Sequence, residues 1–206
     1  MTSIESVTLE VPDPTVAERF YANAFDLGTR LAVRATKAPT AGFRGFTLSL
    51  VVSQPSTVDA LLTAALDAGA TTLKPAKKGM WGYGGVVAAP DGAIWKVATS
   101  AKKDTGPATR QIEDIVLLLG VADVKATKRF YTERGLSVAK SFGSKYVEFE
   151  AAAGHIKLAL YGRRALAKDA GVPEHGSGSH RILIHGGAAP FTDPDGFQWA
   201  APPTEG

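Results

Sequence analysis

"VTLEVPDPTVAERFYANAFDLG" (7–28) and "LLLGVADVKATKRFYTERGLS" (117–137) are two versions of one phrase. Val11 and Val121, Asp13 and Asp123, and the Arg-Phe-Tyr triplets at 19–21 and 129–131 stand in register at an offset of 110. A second phrase closes each copy: "AAPDGAIWKVATS" (88–100) and "FTDPDGFQWAAPP" (191–203), whose Pro-Asp-Gly turns at 90–92 and 194–196 are offset by 104. Self-similarity at this spacing marks a duplicated unit. The polar "SAKKDTGPATR" (100–110), with its Gly-Pro step, falls between the copies and reads as a linker. The chain therefore divides into a first half at 1–100, a linker at 101–110 and a second half at 111–206.

Each half opens with a strand. Val7, Leu9 and Val11 alternate with Ser6, Thr8 and Glu10, the period of a half-buried strand. A helix follows, with Asp13 as N-cap and Pro14 at its first position, where no backbone N–H is needed. Val16, Phe20 and Ala24 form its expected apolar stripe, and Val124, Thr127 and Phe130 form that of the second copy. A further helix is expected after Ser56, with a Ser56–Asp59 capping box, an apolar face of Val58, Leu61, Leu62, Ala65 and Leu66, and a stop at Gly69. The second half has no counterpart to this helix. It instead carries a closely spaced strand series, "LSVAKSFG", "KYVEFEA" and "HIKLALYG".

Composition narrows the function classes. Hydrophobic residues are 45% and charged residues 21% of 206, ordinary for a globular protein. No apolar run reaches the roughly 18–20 residues that span a bilayer, and "MTSIESVTLE" has neither the basic nor the apolar region of a signal peptide. Without cysteine there is no disulfide framework and no thiolate ligand or nucleophile. These features predict a cytoplasmic protein without a membrane partner. Net charge is +3, but Lys74, Lys77, Lys78, Lys102, Lys103, Arg163 and Arg164 are scattered over expected loops, so no nucleic-acid-binding surface is predicted.

The opening strand with Val-x-Asp, the helix ending in Arg-Phe-Tyr and the closing Pro-Asp-Gly-x-x-Trp, all present twice, resemble the vicinal oxygen chelate superfamily of glyoxalase I, bleomycin-resistance proteins and extradiol dioxygenases. The resemblance implies an α+β fold: two tandem glyoxalase-like halves built from βαβββ-type modules, with cupped mixed sheets and helices outside. It also implies a divalent metal in the cup, held by His, Gln or Glu on first and last strands. The first-strand ligand position, seven residues before Asp13 and Asp123, holds Ser6 and Val116. The last-strand position, just after each tryptophan, holds Lys96 and Ala200. The mid-domain glutamate aligns with Lys157, and His180 alone matches a ligand type. Valine and alanine offer no lone pair, and an ammonium repels a cation. The expectation is therefore no cofactor, with a displaced divalent site (Glu148, Glu150, His155, His180, His185) as the disfavoured alternative.

Such a cup suits a small apolar or aromatic molecule fixed by a few polar groups. Its candidate contacts are Ser6, Thr8, Lys96, Val116, Lys157 and Ala200, with Trp81 and Tyr83 of the glycine-rich "KKGMWGYGG" (77–85) as stacking groups. Trp95 and Trp199 read as core residues. The favoured function is metal-independent small-molecule binding. The first alternative is a lyase, isomerase or dioxygenase with a displaced metal, or with His180 and Glu148 in acid–base roles. The second is a module whose cup is filled by its own side chains. A homodimer is possible through exposed sheet edges.

Overall fold

The computed structural model describes residues 3–80, 82–187 and 189–201. Four strand-rich units follow one another. The first is β1 (Ser6–Val11), α1 (Pro14–Ala24), β2 (Leu31–Ala35) and a short β3 (Thr40–Gly42). The second is β4 (Phe46–Val51), α2 (Pro55–Asp67), β5 (Thr71–Gly79), β6 (Gly82–Ala88) and β7 (Ile94–Thr99). The third repeats that order with β8 (Asp114–Val121), α3 (Val124–Glu133), β9 (Val138–Phe142), β10 (Tyr146–Phe149) and β11 (Lys157–Gly162). The last contains α4 (Arg163–Ala170), β12 (Gly176–Gly178), β13 (Ile182–His185), β14 (Phe191–Thr192) and β15 (Gln198–Ala200).

Each half thus contains two units, not one, and the units pair crosswise. The large sheet has the order β5-β6-β7-β4-β8-β11-β10-β9, joining the second and third units through antiparallel β4 and β8. The smaller sheet, β14-β15-β13-β1-β2, joins the first and fourth through antiparallel β1 and β13. Both sheets therefore draw strands from both halves, within one chain.

The helix caps follow the sequence. Asp13 accepts from the Val16 N–H at 3.1 Å, and Asp123 accepts from the Lys125 and Ala126 N–H groups at 2.9 and 3.1 Å. The buried stripes shift slightly from expectation. In α1 they are Ala17, Phe20, Tyr21 and Ala24, with Val16 exposed; in α3 they are Val124, Thr127 and Tyr131. The Ser56–Asp59 capping box does not form. Gln54 is the N-cap of α2, the Ser56 N–H is met by Asp104 of the linker at 2.7 Å, and Asp59 accepts from Tyr83. Gln54 also anchors the linker. Its Oε1 accepts from both the N–H and the hydroxyl of Thr105 and from the Gly106 N–H, while its Nε2 donates to the Gly106 and Pro107 carbonyls.

The repeated aromatics explain why the phrase is kept twice. Tyr21 donates to Asp91 at 2.6 Å and accepts from the indole N–H of Trp95 at 3.4 Å. Tyr131 donates to Asp193 at 2.7 Å and accepts from Trp199 at 3.1 Å. Both tryptophans are core residues. Each triad ties the helix of one unit to the last strand of the next. The two carboxylates come from different places in the closing phrase: Asp91 lies inside Pro-Asp-Gly, whereas Asp193 precedes it. Asp195, the in-register twin of Asp91, instead accepts from the Ala122 N–H and the Thr127 hydroxyl.

Among the described residues no counterpart of α2 lies between β13 and β14. The helix α4, however, is unannounced, and it contradicts the expectation that Arg163 and Arg164 lie in a loop. Lys74, Lys77 and Lys78 are likewise in strand β5. Among the described residues, no helix is long and apolar enough to cross a membrane.

Candidate functional site

The register of the large sheet defines which residues share its inner face. Leu48, Trp95, Leu117 and Leu158 point into the main core, beneath α1, α2 and α3. Their neighbours Ser49, Lys96, Val116 and Lys157 point the other way and form a continuous row: Lys96 pairs with Ser49, Ser49 with Val116, and Val116 with Lys157. The row continues outward through Val86 to Lys74. It brings three predicted site residues, Lys96, Val116 and Lys157, onto one line.

A divalent ion needs side chains with lone pairs converging on one point. This row offers one hydroxyl, one isopropyl group and two ammoniums at its centre, so it does not fit a metal. Both ammoniums have carboxylate partners: Lys96 Nζ is 2.7 Å from Asp169 Oδ2, and Lys157 Nζ is 2.7 Å from Asp114 Oδ2. Glu148 lies opposite Ala159, accepts from Tyr146 at 2.8 Å and faces Lys140 at 3.9 Å.

The corresponding row of the smaller sheet is Ser6, His185 and Ala200. His185 thus occupies the position that the sequence reading gave to His180. Alternation in "ILIH" carries the signal, since Ile182 and Ile184 are core residues and His185 must face the other side. Its Nε2 lies 2.8 Å from the Thr8 hydroxyl and its Nδ1 lies 3.1 Å from the Ala201 carbonyl oxygen. This row contains a single metal-ligand type. Among the described residues no group of three His, Asp or Glu side chains is arranged to hold a metal. Ser6, Thr8 and Ala200 therefore belong to one sheet, and Lys96, Val116 and Lys157 to the other.

His180 and Glu148 also lie apart, the first on the loop before β13 and the second on the large sheet. The imidazole of His180 stacks on Phe197 with ring centroids 4.0 Å apart, and its nitrogens lie 2.5 and 3.1 Å from the carbonyl oxygens of Arg44 and Asp195. It serves as a bracket between loops.

What occupies the cup is α4. Leu166, Ala167 and Ala170 are buried against Phe43, Val86 and Ile94, with Leu118 and Tyr161 at the margin, in a small apolar cluster separate from the main core. Gly120 permits the approach: a Cβ there would lie 3.1 Å from the Arg163 Cα and 3.2 Å from Leu166 Cδ2. Gly171 ends the helix in the left-handed conformation at φ 80°, and Lys74 Nζ donates to the Lys168 and Asp169 carbonyls at 2.6 and 2.7 Å. An ammonium satisfies the free carbonyls of a helix C-terminus and complements its dipole.

Beside this end of α4 a cleft of about 260 Å³ remains, lined by Lys74, Lys77, Gly84, Val86, Lys96 and Asp169 among others. The Lys96–Asp169 pair at its edge is part-exposed, 35% and 41% for the two side chains. A pair so placed is worth at most about 1 kcal/mol.

Tyr83 borders the cleft, but its side chain turns to the other face. There it packs on the main core and donates to Asp59 on α2 at 2.8 Å. That bond, together with burial, raises its phenol above the ordinary value. Tyr83 is thus a strut between β6 and α2, and "KKGMWGYGG" is a hairpin of β5 and β6. Trp81, the other predicted stacking group, lies outside the described residues.

No family model matches the sequence, and no curated protein does. Solved structures do. Glyoxalase I from Zea mays superposes with a TM-score of 0.61 at 14% identity, over 97% of this chain and 91% of its own. Its V278E mutant gives 0.62 at 13%, with the same coverage. A shorter structure, a glyoxalase/bleomycin resistance protein/dioxygenase family enzyme from Burkholderia phytofirmans PsJN, aligns over 48% of this chain and 99% of its own at 18% identity and a TM-score of 0.43. The Zea mays superpositions span both halves and all four units. The chain has the fold of glyoxalase I.

Proposed function

We propose that this chain is a metal-independent binding protein that holds a small molecule in the cleft between α4 and the strands β5, β6 and β7. The observation that carries this reading is the row Lys96–Ser49–Val116–Lys157, where side chains able to ligate a divalent ion would be required for metal-assisted chemistry. An apolar or aromatic body would rest on Gly84, Val86 and Ala98, with the surrounding lysines as its polar contacts. Helix α4 limits the ligand to small size, because it fills the part of the cup nearest Gly120 and Tyr161.

Two measurements test the reading. Protein purified without chelator is expected to contain no stoichiometric metal; near one equivalent of Ni, Zn, Fe or Mn overturns it. In a thermal-shift screen of small aromatic and aliphatic metabolites, binders raise the unfolding midpoint by mass action. The rise should vanish when Ala98→Trp fills the cleft, and persistence of binding in that variant would move the site elsewhere.

A further inference from the structure

We propose that the molecule bound in this cleft carries a carboxylate, and that this carboxylate takes the place of the Asp169 side chain on Lys96. The inference rests on the binding reading above and adds the chemical class of the ligand.

The chain itself supplies the template. Asp169 Oδ2 accepts from Lys96 Nζ at 2.7 Å, and Asp169 is the one acid among the described residues that line the cleft. Three ammoniums face it: Lys74, Lys77 and Lys96. Lys74 is turned to the carbonyls at the end of α4, and Lys77 forms no ion pair among the described residues. The cleft is therefore short of negative charge by its own composition.

Both side chains of the pair at its edge are part-exposed, so a dissolved anion can compete for Lys96 without opening the core. Its floor is uncharged and carries only small groups, Gly84, Val86 and Ala98. At about 260 Å³ the space lies below the roughly 300–1,000 Å³ of common ligand pockets. A compact hydrocarbon or single-ring body with one carboxylate matches these features together. Exchange of one carboxylate for another keeps the charge on Lys96 satisfied throughout, which a neutral ligand would not do.

The test is calorimetric titration of the full chain with benzoate and cyclohexanecarboxylate and, in parallel, with their neutral amides. The acids are expected to bind about tenfold or more tighter than the amides. Lys96→Met should abolish that preference by bringing the acids down to the affinity of the amides, and an unchanged circular dichroism spectrum and unfolding midpoint show that the variant is folded. Asp169→Asn removes the internal competitor and should tighten acid binding several-fold, by more than it changes amide binding. Equal binding of acids and amides, or weaker acid binding by Asp169→Asn, overturns the carboxylate inference and leaves the binding reading standing. Binding of neither class overturns both.

Discussion

Tyr131 donates its hydroxyl hydrogen to Asp193 over 2.7 Å and simultaneously receives the indole N–H of Trp199, all three in the core. Tyr21, Asp91 and Trp95 make the same arrangement in the other half. Removing either hydroxyl strands a carboxylate oxygen and an indole N–H at once. Tyr131→Phe and Tyr21→Phe should each lower stability by about 1.5–3 kcal/mol, the range for a bond to a charged group. The triads belong to different unit junctions, so the double variant should show the sum to within about 0.5 kcal/mol. Urea denaturation of the four proteins checks this.

The same triad makes stability depend on pH in an unusual direction. Burial raises the Asp193 carboxyl above the ordinary range; the Tyr131 hydroxyl and the Phe197 N–H pull it back, and the Asp195 charge raises it again. The folded state thus holds this proton more tightly than the unfolded state does. Its contribution is fully present below the unfolded value and is lost as pH rises through the folded value. The stability of the native chain relative to Asp193→Asn should therefore fall as pH is raised from about 3.5 to 7. A relative stability that climbs over this range would contradict the raised carboxyl.

Alkaline titration probes the phenols. Burial, reinforced by the neighbouring carboxylates, pushes Tyr21 and Tyr131 well above the usual tyrosine value. Being raised, these groups contribute stability that is complete below the unfolded value near pH 10 and disappears above it. Phenolate absorbance of these two residues should appear only with the unfolding transition. In Tyr21→Phe/Tyr131→Phe the late component of the absorbance titration should shrink to that of Tyr146, whose phenol is likewise raised by burial and by Glu148.

Seating of α4 depends on the missing side chain at Gly120. Gly120→Val puts methyl groups where the Arg163 backbone and Leu166 now sit, and overpacking of this kind costs about 1–3 kcal/mol. The expected signature is local: faster amide hydrogen exchange across 163–170, with the strands of the smaller sheet unchanged.

Gln54 makes a comparable prediction for the linker. Its amide is buried and carries five hydrogen bonds to Thr105, Gly106 and Pro107. Gln54→Ala should free residues 101–110 for proteolysis and lower stability by about 1–3 kcal/mol, because the linker's backbone groups lose partners. Unchanged cleavage kinetics would show that the linker is held by other contacts.

The fold was legible where one residue's neighbours in sequence are also its structural context. The Asp13 and Asp123 caps, the alternation through Val7, Leu9 and Val11, and the core tryptophans all follow from local pattern and burial. The number of units per half was not. The region 28–45 folds as a 3-10 turn and two short strands, too brief to announce a separate unit. Helix α4 escaped for a different reason: no side chain caps it, and its buried residues are one leucine and two alanines. What stabilises it is the inner face of a sheet assembled from residues 43–161, which no local window contains.

The candidate site divides along the same line. Lys96 and Val116 could be placed from the repeats and Lys157 from the family resemblance, and register joins them. Tyr83 could not be oriented, because β5 pairs with β6 through two register shifts and the alternation cannot be carried across the hairpin from the lysines. Asp169 was invisible as a partner of Lys96, since it arrives on the unforeseen helix.

Pairing of Ser6 with His185 places the first strand against one made almost last. At a synthesis rate of about 5–20 residues per second, β1 emerges on the order of ten seconds before β13 exists. During that interval β1 has β2 on one side and an open row of backbone donors and acceptors on the other. Nascent chains on one message would then display the same unfilled edge at the same time, and an edge of that kind pairs readily with its copies. The open edge thus belongs to the ribosome-bound chain and closes in the finished fold, where β13 covers it.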